Sequence, residues 1–239
     1  MAVVRRTLRR ALSGSVVIGV CCLLPMSSAR AVETPTTSSG RLSAPTSSDT
    51  PPSSTSLPVT QIPQIKKYYC GPASGEMIAR AVGATTSRAD GAPLSQEALA
   101  APGYMDTDRE EATKWKAGTF VTGLNRWLGA PLYTQVDKPT GEQAWDALHS
   151  VVGVQKRPIA ADAVEIAGGV HYNGHPVDRT IGHWIVGYAY DDAKGTSTWT
   201  DPAYNAPTVS WYRSVQAPTV TVDTEQFAAD HLQYNGIAR

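Results

Sequence analysis

GHWIVGYAYDDAKGTSTWTDP, residues 182–202, sets two runs of aromatic and β-branched residues around a polar centre. The run from Trp184 to Tyr190 has the composition of a buried strand, DDAKGTS that of a turn, and TSTWT that of a second strand closing just before Pro202. Paired as a hairpin, the two strands bring His183, at the mouth of the first, and Asp201, at the end of the second, to one open end. A histidine so placed is held rigidly, as a general base requires, and Asp201 can accept its distal N–H and fix the tautomer. The plainer reading of Asp201 is a turn cap in an Asp-Pro step. A further strand is expected over 158–166, and helices over 71–82, 95–101, 119–128 and 141–152.

Upstream, QIKKYYCGPAS (64–74) holds a cysteine wrapped in tyrosines and followed by Gly-Pro. The residues after it, ASGEMIARAVG, put Met77, Ile78 and Val82 on one apolar face at helical spacing. Proline is favoured in a first helical turn, so Cys70 sits at or just before a helix N-terminus. Free N–H groups and the helix dipole there stabilise a thiolate. A buried core thiol, an intermolecular disulfide and a reactive nucleophile all remain open for it. A thiolate nucleophile needs a base, a group to orient that base, and oxyanion donors. Gln64, six residues upstream, can return over the helix start as a donor, with Gln61 its nearby competitor. Among the histidines, His149 and His231 read as helix residues, and His171 and His175 belong to a Gly-rich loop, GGVHYNGHP, where they line a cleft or are solvated.

The chain has 239 residues and equal counts, 21 each, of acidic and basic residues, so no basic surface for nucleic acid stands out. No zinc or EF-hand spacing, P-loop or GxGxxG occurs. Residues 1–31 read as a secretory signal peptide: a basic MAVVRRTLRRALSG, an apolar SVVIGVCCLLPM too short to span a bilayer, and Ala29-Arg30-Ala31 at the cleavage site. Arg5-Arg6 also fits a twin-arginine signal. Residues 32–57 are Ser, Thr and Pro with little to bury, expected to be a disordered linker. Residues 58–239 suit one globular domain. Cys21 and Cys22 leave with the signal, which makes Cys70 the only thiol of the mature protein.

The ordered set Gln64, Tyr69-Cys70-Gly71-Pro72-Ala73, Gly182-His183-Trp184 and Asp201-Pro202 resembles the bacteriocin-processing peptidases, the peptidase C39-like family of papain-like cysteine peptidases, in their exported stand-alone branch. The resemblance implies an α+β papain-like fold: an N-terminal helical half with the nucleophile helix, packed on an antiparallel β-sheet. It makes Cys70 the nucleophile, His183 the base, Asp201 the orienting acid and Gln64 the oxyanion donor. Founding members are fused to ABC transporters, whereas this chain has no nucleotide-binding motif and opens with an export signal. Tyr69 stands where those members often carry aspartate.

The expectation is a secreted cysteine peptidase acting on peptide or protein substrates, near the cell wall or free of it, with no membrane anchor after signal removal. Tyr68, Tyr69 and Trp184 flank the site and are expected to line its substrate groove. No cofactor and no metal are implied. A peptidoglycan endopeptidase or amidase, a transglutaminase-like acyl transferase, and a surface binding module on a decayed scaffold are the alternatives.

Overall fold

The computed structural model describes residues 50–239; the expected signal peptide and most of the expected linker lie outside them. In chain order the elements are β1 (Ser54–Ser56), α1 (Cys70–Ala81), α2 (Gln96–Ala100), α3 (Thr107–Glu110), α4 (Thr119–Leu128), β2 (Gln135–Asp137), α5 (Gly141–Ala147), β3 (Ile159–Glu165), β4 (Ile181–Asp191), β5 (Thr196–Thr200), β6 (Thr219–Asp223), α6 (Thr224–His231) and β7 (Gly236–Ala238). A π-helical turn, Leu148–Val154, continues α5. The architecture is α+β, as expected, with the strands in one antiparallel sheet of order β2-β7-β3-β4-β5-β6.

The 182–202 hairpin forms as read. β4 pairs with β5 from Val186↔Thr200 to Asp191↔Thr196, with one extra residue between Gly187 and Ala189 on the β4 side. Such a bulge bends the strand and increases its twist. On its other side β4 pairs with β3, Ala163 opposite His183 and Asp162 opposite Trp184. β4 is buried on both faces over most of its length, which accounts for a nearly continuous apolar run rather than strict alternation.

Two clusters divide along the sheet. On one face α1, α2 and α4 pack Met77, Ile78, Leu99, Leu124 and Trp127 against Trp184 and Val186. On the other, α5, the π turn and α6 pack Leu148, Val152 and Phe227 against Ile159, Ala161, Ile185 and Trp199. The helix expected over 141–152 therefore belongs to the opposite face from the cysteine helix, because its apolar stripe meets the odd-numbered side chains of β3 and β4.

One boundary moves. Ser54–Ser56, expected inside the disordered linker, forms β1 and pairs with β4 at Ser54↔Asp191, Thr55↔Tyr190 and Ser56↔Ala189. The Tyr190 hydroxyl adds a hydrogen bond to the Pro52 carbonyl, 2.7 Å. Beyond β1 the chain crosses towards the hairpin's open end, where the Gln61 amide donates to the carbonyls of Asp201 and Tyr204, both at 3.0 Å. Among the described residues no helix is long and apolar enough to cross a membrane.

Candidate active site

α1 begins on Cys70 itself, with no side chain capping its end. Pro72 has no N–H to leave unpaired, and the N–H groups of Cys70 and Gly71 have no carbonyl a turn earlier to bond. Residue 71 must be glycine for this first turn to lie against Thr113: a Cβ there would meet Thr113 Oγ1 at 2.1 Å. The Ser74 hydroxyl ties the next turn to the Trp184 carbonyl, 3.1 Å. Cys70 is a partly buried free thiol on a cavity of about 600 Å³ that Gln64, His183 and Trp211 also line.

His183 and Asp201 meet as the hairpin predicted. Nε2 of His183 donates to Oδ1 of Asp201 at 2.8 Å, which leaves Nδ1 for the thiol. Burial disfavours the charged ring, but the charge and hydrogen bond of Asp201, then a hydrogen bond with Cys70, outweigh it and raise His183 to about 10. Asp201 is fully buried, and both its oxygens are filled. Oδ1 also accepts the Ala203 N–H at 2.8 Å, and Oδ2 accepts from Asn173 Nδ2 and His175 Nε2, each at 2.8 Å. Burial alone would raise this carboxyl; the His183 charge and the two histidine hydrogen bonds hold it well below the usual carboxylate range.

The chain of hydrogen bonds continues beyond the expected three residues. Nδ1 of His175 donates to Oε2 of Glu165 at 2.7 Å, and Oε1 of Glu165 accepts the Tyr172 N–H at 2.8 Å. Each nitrogen of the His175 ring faces a carboxyl oxygen; burial disfavours the charged ring, but the bonds to Asp201 and Glu165 outweigh it and raise His175. His175, His183 and Asp201 offer atoms within 4.8 Å of one another that a metal ion could use, yet each of those atoms already has a hydrogen-bond partner at 2.8 Å.

Other expectations need correction. Tyr69 is fully buried, not in a substrate groove: its hydroxyl donates to Asp108 Oδ1 at 2.6 Å and accepts from Lys66 Nζ at 2.7 Å. Consecutive side chains at the helix start point apart, so Tyr68 takes the cavity wall instead. Trp184 reaches the cavity but is chiefly core, stacked on Phe120 with centroids 4.1 Å apart and donating to the Thr113 carbonyl. Gln64 is in the cavity wall, but its Nε2 donates to the carbonyls of Lys66 and Lys67, at 2.8 and 3.1 Å, and its buried Oε1 has no partner. His175 is neither solvated nor on the cleft wall. Its bond to Glu165 cannot be read from the sequence, because a Gly-rich loop gives no sign that it folds inward. Trp211, 4.5 Å from the His175 ring between centroids, was equally silent in the sequence.

No curated protein matches this chain. Among solved structures it is similar to xylellain, a cysteine protease from Xylella fastidiosa, at 12% identity over 80% of this chain and 85% of that one, with a TM-score of 0.40. The family model described as Peptidase_C39 like family matches residues 56–236, from the end of β1 to the start of β7. Spanning most of the sequence and every residue of the cysteine–histidine cluster, that match means that the chain belongs to the Peptidase_C39 like family.

Proposed function

We propose that this protein is an exported cysteine peptidase that hydrolyses peptide bonds with Cys70 as nucleophile, His183 as base and Asp201 as the acid that orients it. One observation carries the reading. A thiol at the start of a buried helix opens on a cavity with a histidine whose far nitrogen is bonded to a buried carboxylate with all its acceptor sites filled. The thiol proton passes to Nδ1 of His183, and Sγ attacks the peptide carbonyl carbon. The oxyanion accepts from the Cys70 N–H; Gln64 joins only by releasing one of its carbonyl partners. The imidazolium then protonates the leaving amine as the C–N bond breaks. Water, deprotonated by His183, hydrolyses the thioester and restores the thiol. Export rests on the signal-like residues 1–31.

The test is hydrolysis of a mixed peptide library, read by mass spectrometry, alongside the rate of Cys70 alkylation by iodoacetamide at pH 6. Cleavage is expected to vanish in Cys70→Ala, and His183→Ala is expected to slow alkylation at least ~10-fold by removing the proton acceptor. Cleavage that survives in Cys70→Ala, or alkylation indifferent to His183→Ala, overturns the reading.

A further inference from the structure

Asp162 is a carboxyl that the cysteine–histidine chemistry does not use. It is 6% exposed, yet it lines the same cavity as Cys70 and His183. Asn235 Nδ2 donates to its Oδ2 at 2.9 Å, and among the described residues no hydrogen bond reaches Oδ1. Among the described residues no lysine or arginine forms an ion pair with it, and the positive charge that acts on it is that of His183, on the neighbouring strand. Burial outweighs both and pushes the carboxyl up to about 7. A largely buried acid without a protein cation beside it is costly to ionise, and such a carboxyl in a cleft is a candidate for a functional role.

The neighbours give that site a chemistry. Across the sheet Asp137, Gly236, Asp162 and Trp184 stand in one row of paired positions on β2, β7, β3 and β4. Gly236 has no side chain to cover Asp162, and a Cβ there would meet the Val136 carbonyl oxygen at 2.1 Å and Trp115 Cζ2 at 3.0 Å. Trp115 donates its Nε1 to Asp137 at 2.7 Å and lays its indole across Gly236, with its centroid 5.7 Å from that of Trp184. Asp162 therefore stands beside Trp184 in that row, and Asp162, Trp115 and Trp184 all line the cavity. A carboxylate beside π faces is a setting that attracts an ammonium or guanidinium group. Cations also stand on the cavity rim: Lys67, Lys114 and Arg179 are paired with Glu111, Glu110 and Asp178, and Lys116 is exposed there as well, all at the surface where solvent screens them.

We infer that Asp162, Trp115 and Trp184 form a subsite for a basic side chain of the peptide substrate, so that the cleft selects lysine, arginine or another diamino acid near the reacting carbonyl. This rests on the proposed peptidase reading and adds its substrate class.

The experiment scans lysine against norleucine, its uncharged near-isostere, through the three residues preceding the reactive carbon of peptidyl chloromethyl ketones. Cys70 labelling is followed by intact mass, with hydrolysis of the matching peptides measured in parallel. At one position the lysyl reagent is expected to label about tenfold faster or more, as a hydrogen bond to a charged group allows, and the ratio should fall to near one in Asp162→Asn. Equal rates for both reagents in the wild-type protein, including no labelling by either, overturn the subsite, and that comparison needs no variant to fold. A preference retained in Asp162→Asn overturns it as well. Hydrolysis without lysine preference sinks the subsite alone, whereas selective labelling without hydrolysis sinks the peptidase reading and leaves the subsite standing.

Discussion

At the residue scale, the site is deeper than the three groups that the chemistry names. Asp201 can stay ionised without solvent because four donors surround it, and His175 supplies one of them. His175 in turn is fixed by Glu165, so it acts through Asp201 as a positioning residue. Replacing it with alanine leaves Oδ2 of Asp201 with Asn173 alone and frees the carboxylate to rotate away from His183. His175→Ala is expected to lower kcat ~10–100-fold with KM changed less than threefold, in the range that outer hydrogen-bonding partners contribute. His175→Gln, which keeps a donor towards Asp201, should recover part of the loss. An equal fall in both variants, with KM rising in step, would make the residue a packing element only. Cys70, His183 and Asp201 could be picked out as candidates because each lies beside a local signal: a helix start, a strand mouth and an Asp-Pro step. The bonds of the Gln64 amide to Lys66 and Lys67 had no such signal. Glu165 and His175 could not be picked out, since burying Tyr172, Asn173 and His175 is a tertiary event with no periodicity to announce it.

At the element scale, the helices and strands that position the site were readable to within a residue or two, because α1 and the β4–β5 hairpin carry strong apolar patterns. β1 was missed for the opposite reason. A strand pairs through its backbone, and Ser-Thr-Ser shows no apolar alternation when it lies on an edge of the sheet. Its three paired positions and the Tyr190–Pro52 hydrogen bond nonetheless tie the N-terminal arm to the strand that carries His183. Net hydrogen-bond contributions of about 1 kcal/mol each imply that a chain starting at Val59 is less stable than one starting at Pro51 by about 2–3 kcal/mol. Urea unfolding of the two chains measures the difference; coincident midpoints would mean that β1 contributes nothing. The side of the sheet on which α5 packs was also beyond the sequence, since an apolar stripe states that a helix is covered but not by which face.

At the scale of the whole molecule, the buried cluster should dominate how stability follows pH, because the formal net charge is zero at pH 7 and overall repulsion is small there. Asp201 is held below its unfolded value of about 3.9, so its contribution is present above that pH and is lost as the pH falls. His183, raised to about 10 from an unfolded value of about 6.5, contributes fully below pH 6.5 and loses that contribution as the pH rises towards 10; His175 acts in the same direction. Asp162 costs stability progressively from about pH 4 to about 7, where burial forces it to ionise late. Burial holds His231 below its ordinary value, so it costs stability as the pH drops under about 6.5. These directions place the maximum between about pH 5 and 6.5, followed by a decline through pH 10 of up to about 1.4 kcal/mol per pH unit for each titrating group. Calorimetric melting temperatures from pH 4 to 10 provide the check. In Asp201→Asn the decline above pH 6.5 should flatten, because His183 then loses the charge that raised it, whatever the variant's absolute stability. A melting temperature that climbs from pH 6.5 to 9 in the wild-type protein would contradict an imidazolium buried between Cys70 and Asp201, and with it the electrostatic basis of the proposed site.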